Sequence, residues 1–193
     1  YSGRLRFQIR WAQTPRIPKT SVLGHSLIVA FLAYFYSKQA KCCDISKEYN
    51  FFTALFHDLP EALTRDIISP VKHGVSGLNA IVSDFEVKEL KKHILPNIPK
   101  KLLEDFNYIL GLKEIKKASK TKDKKESTMV DEIKKYDTKT TNNKIEIIKD
   151  EFEDRIFYNN EIKQISSIDA TSKYNQNKYK TISGKALKQC DRL

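Results

Sequence analysis

His57 and Asp58 stand side by side at the end of the apolar run Ala54-Leu-Phe56, two residues before Pro60. Adjacent side chains at a helix end cannot share one buried apolar face. An imidazole nitrogen and a carboxylate oxygen at neighbouring positions can, however, hold one divalent cation between them. The other reading of such a pair is the capping of a helix end. His25 lies one turn into a long apolar helical pattern, where a histidine serves either as a hydrogen-bonded boundary residue or as a ligand. Asp191, set among Leu187, Cys190 and Leu193, is an acid near the inward face of a helix, and a buried carboxylate needs a partner. These four residues come from three helices of one bundle, and bundle cores are where facing helices build metal sites.

The elements that must position them are helical. Thr20 or Ser21 can cap a helix running to about Gln39, with Leu27, Ala30, Phe31, Tyr34 and Phe35 at helical spacing, and its breadth of apolar residues predicts a central position. Asp44 or Ser46 can cap a second helix that carries Tyr49, Phe52, Ala54, Leu55 and Phe56 and ends near Asp58. Pro60 suits the first turn of a short helix through Arg65, with Glu61 near its positive end. A further helix is expected from about Leu78 to Leu95. Pro99 opens another, with Leu102, Leu103, Phe106, Ile109 and Leu110 facing inward and Gly111 as its stop.

From Leu112 to Ser183 the character changes. Twelve lysines fall between Lys113 and Lys149, so 112–183 reads as a Lys-rich insertion in a single domain, with Lys116 to Glu126 disordered or solvent-bridging. Within it, residues 155–165 alternate around Asn159-Asn160 and predict a small β-hairpin. A helical pattern resumes at Gly184. The fold class is therefore all-α, a helical bundle with a charged insertion.

Composition narrows the partners. At 193 residues the chain suits one domain, and its longest apolar stretch, Leu27 to Tyr36, is too short to span a bilayer. A net charge of +11 invites a nucleic-acid reading. Only seven of the 35 basic residues are arginine, the residue suited to bidentate phosphate and base contacts, which favours a solvated lysine surface instead. Three cysteines, two of them adjacent, form neither a disulfide framework nor a zinc pattern, so thiols in a cytoplasmic protein are expected. No signal peptide is visible, and the opening at Tyr1 without methionine reads as a fragment or a processed chain, as does a final helix that stops at Leu193. Pairing of two copies is possible, but no interface is legible.

The order His25, His57-Asp58, Asp191 resembles the signature of the HD superfamily of metal-dependent phosphohydrolases. Arg10-Trp11, the fifteen positions from Arg10 to His25, the run His57-Asp58-x-x-Glu61-x-Leu-Thr-x-Asp66, and Ser69-Pro-Val-Lys72 are similar to the bacterial 5′-deoxynucleotidase branch. Leu187-Lys-Gln-Cys-Asp191 is similar to that branch's last metal-binding segment. The resemblance covers about residues 5 to 95 and 184 to 193. Gly24 departs from it, standing where the branch carries an acidic residue.

The resemblance implies that His25, His57, Asp58 and Asp191 hold one divalent cation, whether Mn, Co, Fe, Zn or Mg. It implies that Glu61 orients or deprotonates a water and that Asp66 assists proton transfer. Arg10 and Lys72 would meet the phosphate, and Trp11 would pack against the sugar so that a 2′-hydroxyl has no room. The expected activity is removal of phosphate from a small nucleotide, a deoxynucleoside 5′-monophosphate in the first instance. The alternatives are an HD enzyme acting on another phosphate ester, and a non-catalytic metal-containing protein that binds nucleic acid or a partner through its basic insertion.

Overall fold

The computed structural model describes residues 2–10, 17, 19–60, 62, 78–115, 144–147, 152–165 and 172–192. Its helices are α1 (Ser2–Leu5), α2 (Val22–Gln39), α3 (Asp44–Phe56), α4 (Leu78–His93), α5 (Lys100–Ile109) and α6 (Gly184–Arg192). Four short strands accompany them, β1 (Leu112–Ile115), β2 (Lys144–Ile147), β3 (Arg155–Tyr158) and β4 (Glu161–Gln164), paired antiparallel as β1 with β2 and β3 with β4. The predominantly helical bundle with a small hairpin agrees with the sequence expectation. The pairing of β1 with β2 was not foreseen. Lys116 to Glu126 and the short helix expected from Pro60 to Arg65 lie outside the described residues, apart from Pro60, which is in a turn, and helical Ala62. Among the described residues, no helix is long and apolar enough to cross a membrane.

Local chemistry explains most element ends. Ser21 caps α2 by accepting the Gly24 amide at 3.0 Å, which satisfies one of the amides a helix start leaves without a partner. Gly111 takes a φ of 69° just beyond α5, a conformation that costs a residue with a Cβ atom. Asn159 and Asn160 both adopt positive φ, 52° and 58°. Two left-handed residues in succession make the hairpin turn whose twist matches the flanking strands. The α3 start differs from expectation: Cys43 is the cap position and makes no side-chain cap bond, and Asp44 is the first residue of the helix. The Cys43 amide donates instead to Asn175 Oδ1 at 2.6 Å, a partner 132 residues away that no local pattern can reveal.

The largest correction concerns α2. Its aromatic residues were expected to face the core, yet Phe35 is 62% exposed and Leu27, Phe31 and Tyr34 are exposed with it. The buried stripe is Val22, Ser26, Val29, Ala30, Ala33 and Ser37. Small side chains let the α2 and α3 backbones approach closely, a fit that bulky rings would prevent. The serine hydroxyls donate to carbonyls one turn back, Ser26 to Val22 at 3.0 Å and Ser37 to Ala33 at 2.7 Å, so burial leaves them satisfied. Leu102 on α5 likewise faces solvent at 48% exposure.

Asn50, fully buried on α3, joins three elements. Its Nδ2 donates to Ser37 Oγ at 2.9 Å and its Oδ1 accepts the Ser183 amide at 2.9 Å, tying α2, α3 and the entry to α6. Residues from the Lys-rich stretch also enter the core: Phe152, Ile156, Ile165 and Ile182 are buried, and Phe152 and Ile182 pack with Val29, Ala33, Tyr108 and Leu187.

Candidate metal centre

Four segments converge on one point. Residues 8–10 run alongside the start of α2, with the Arg10 amide donating to the Thr20 carbonyl at 3.0 Å and the Val22 amide to the Gln8 carbonyl at 2.9 Å. This places Arg10 beside His25, one turn into α2. His57 and Asp58 sit in the turn that follows α3, both buried. Asp191 arrives on α6. Among the described residues, His25, His57 and Asp58 each offer a ligand atom within 4.8 Å of one another. Asp191 Oδ1 lies 2.8 Å from His25 Nε2 and 3.4 Å from His57 Nε2.

The donor set fits a divalent cation. His57 Nδ1 lies 2.6 Å from the Ala54 carbonyl. A carbonyl only accepts, so Nδ1 donates to it and Nε2 is the nitrogen turned toward the site, a ligand atom whenever the ring is neutral. That nitrogen lies 3.1 Å from Asp58 Oδ1 and 3.4 Å from Asp191 Oδ1. Electron-rich atoms gathered this closely require positive charge among them, and a cation satisfies them all at once. Two imidazoles with carboxylate oxygen suit several first-row metals, and the donors do not select among them. The Ala54 carbonyl orients the ring from behind, as partners of metal-ligating histidines generally do.

Arg10 supplies the second layer of charge. Its Nη1 donates to Asp58 Oδ2 at 2.8 Å and its Nη2 to Asp191 Oδ1 at 3.0 Å. Asp58 is thereby held by Oδ2 while Oδ1 faces His57. Burial pushes the Asp58 carboxyl up, but the contact and charge of His57, then Arg10 and His25, outweigh it and hold the group below its usual range. The same contest at Asp191 is decided by its hydrogen bonds to His25 and His57 and by the charges of His57 and Arg10, which hold it well below the usual carboxylate range. Both groups are therefore anionic at neutral pH, the state a metal ligand needs.

Arg10, His25, His57, Asp58 and Asp191 are thus brought together, although Arg10 and Asp191 are 181 positions apart. Trp11, Glu61, Asp66 and Lys72 lie outside the described residues. Phe152 escaped the sequence reading: its buried ring has its centroid 5.5 Å from that of His57. The available signal was a large aromatic residue in an otherwise charged stretch.

The helical fold and this His-His-Asp cluster define the class, and comparison with known families agrees. The chain belongs to the HD domain family, whose model matches residues 2–169. It is 31% identical over 111 residues to the 5′-deoxynucleotidase yfbR of Photorhabdus temperata, covering 56% of each chain. It is 32% identical over 111 residues to a 5′-deoxynucleotidase of Photorhabdus laumondii subsp. laumondii, again 56% of each. With a 5′-deoxynucleotidase of Pasteurella multocida it shares 30% over 111 residues, 53% of this chain and 54% of that one. The chain spans about half the length of the curated relatives it matches. No solved structure matches significantly.

Proposed function

We propose that this chain is a metal-dependent phosphohydrolase that releases phosphate from a small nucleotide, specifically a deoxynucleoside 5′-monophosphate. The observation that carries the reading is the convergence of His25, His57 and Asp58 within 4.8 Å, and the names of the similar proteins support its substrate. When bound, a divalent ion supplies Lewis-acid polarisation of a phosphoryl oxygen and lowers the pKa of a water. His25, His57, Asp58 and Asp191 are its proposed ligands. Arg10, a planar cation with donors to spare, is proposed to meet the phosphate with Lys72, and Trp11 to pack against the sugar. Glu61 is proposed to orient or deprotonate the attacking water, with Asp66 assisting.

The test is phosphate release across ribo- and deoxynucleoside 5′-monophosphates with each candidate metal. Preference for the deoxy form is the expected result, and no release from any nucleotide by metal-loaded protein would overturn the reading. Glu61→Ala should keep its metal and lose about 10²–10⁴-fold in turnover, the usual worth of a positioned acid or base. Unchanged turnover would remove Glu61 from the mechanism.

Pairing of two copies and a cytoplasmic location belong to the same reading. The apolar residues on the outer side of α2, where Ile28, Phe31 and Phe35 are exposed, support the first, and three cysteines carried as thiols support the second. Sedimentation that finds only monomer would remove the pairing, and recovery of the protein outside the cytoplasm would remove the location.

A further inference from the structure

Asp191 is delivered to the site by a helix of nine residues, too short to persist without tertiary support. Leu187 and Cys190 pack its inner face into the core, and a separate set of contacts fixes where the helix begins. Arg155 and Ile182 exchange backbone hydrogen bonds of 3.0 and 2.9 Å. Asp154 Oδ1 accepts the Lys185 amide at 3.0 Å, supplying from outside the helix a carboxylate at its positive end. Asp154 is 3% exposed. Gly184 sits so close to the incoming chain that an added Cβ would lie 2.3 Å from the Phe152 carbonyl carbon. Glycine is required there by space.

Magnitudes show why this lock bears on the metal centre. Asp191 is seven residues beyond Gly184, about 10 Å along the helix axis at 1.5 Å per residue. A lever of that length turns a 10° tilt at the lock into a displacement of about 2 Å at the carboxylate. Ligand distances tolerate about 0.2 Å, so the helix direction must be held to roughly 1°. The same segment touches a second ligand, because the Phe152 ring packs against His57.

We propose that residues 152–155, which lie outside the ligand motif, are the positioning device of the metal centre. Asp154 sets α6 so that Asp191 meets the histidines, and Phe152 forms the wall that holds the His57 ring. The inference rests on the metal-site reading given under Proposed function.

Co²⁺ is the probe that tests it, through calorimetric affinity and its visible absorption spectrum in the parent protein, Asp154→Ala and Asp154→Asn. Asparagine keeps an oxygen for the Lys185 amide and should restore the parent's affinity and spectrum. Alanine should bind about 10–100-fold more weakly, the usual loss on removing a group that orients a ligand, with an altered spectrum. Parent-like affinity and spectrum in Asp154→Ala would overturn the proposal, whatever happens to its thermal stability. Should that variant not fold, Phe152→Leu removes the ring that packs against His57, and the same two outcomes apply. If the parent itself takes no Co²⁺, the metal-site reading falls, and amide hydrogen exchange at Cys190 and Asp191 judges the lock separately. Faster exchange in Asp154→Ala but not in Asp154→Asn supports it, and equal exchange overturns it.

Discussion

Replacement of His57 by alanine is expected to leave the purified protein with no stoichiometric divalent metal. His57 is the centre of the cluster, 3.1 Å from Asp58, 3.4 Å from Asp191 and with its ring centroid 5.7 Å from that of His25. Its side chain is almost entirely buried, and its Nε2 faces both carboxylates. Losing a group that merely orients a ligand already costs about 10–100-fold in affinity. Losing the ligand itself, with its prearranged Nε2, should cost more, enough that metal does not survive purification. Elemental analysis decides the matter. His93→Ala is the control, because His93 pairs on α4 with Glu89 at 3.4 Å and belongs to no cluster of ligands among the described residues. Full metal occupancy in His57→Ala would sink the assignment, and loss of metal in both variants would point to general unfolding instead.

The largest effect on stability is expected at Arg155, which has no exposed surface. Its guanidinium donates to the Tyr108 carbonyl at 3.3 Å and the Ile109 carbonyl at 2.9 Å, where α5 ends, and to the Glu153 carbonyl at 3.2 Å. The Tyr108 ring lies 5.6 Å from its central carbon. One side chain thus satisfies carbonyls that a helix end leaves unpaired and places a cation at the helix's negative pole. Arg155→Ala strands these carbonyls in the core and opens a cavity. Leaving a buried carbonyl without its donor costs about 1–3 kcal/mol, so the stranded carbonyls and the cavity together should cost roughly 3–5 kcal/mol. At roughly 2–4 °C per kcal/mol for this chain length, the melting temperature should fall by about 6–20 °C. Urea unfolding of the metal-free protein measures it directly, and a loss below about 1 kcal/mol would show that the guanidinium is dispensable to the fold.

The two residues also differ in how visible they were beforehand. His57 stood out because its chemistry is local: an imidazole beside a carboxylate at a helix end has few structural uses. Arg155 did not, because it reads as one more cation beginning a hairpin. Nothing nearby in sequence shows that it turns inward to cap a helix 46 positions earlier. The hairpin itself was legible, since two asparagines at a turn can adopt left-handed φ with little strain, and alternation on either side follows from the strand repeat.

Sequence alone determined the helical class, a cap for α2 at Thr20 or Ser21, the stop at Gly111, the Asn159-Asn160 turn and the types of candidate ligand at His25 and His57-Asp58. Each depends on residues within a turn or two of one another. Tertiary structure decided which stripe of α2 is buried. Periodicity locates an apolar face but does not say whether rings or small side chains will meet the neighbouring helix, and close approach of α3 selected Ala30, Ala33 and Ser37. It decided that Arg10 bridges Asp58 and Asp191. It also decided that Asp154, within a lysine-rich stretch, accepts the Lys185 amide at the start of the helix that carries Asp191. Those contacts join residues dozens to more than a hundred positions apart, and they come into being only when the whole core packs.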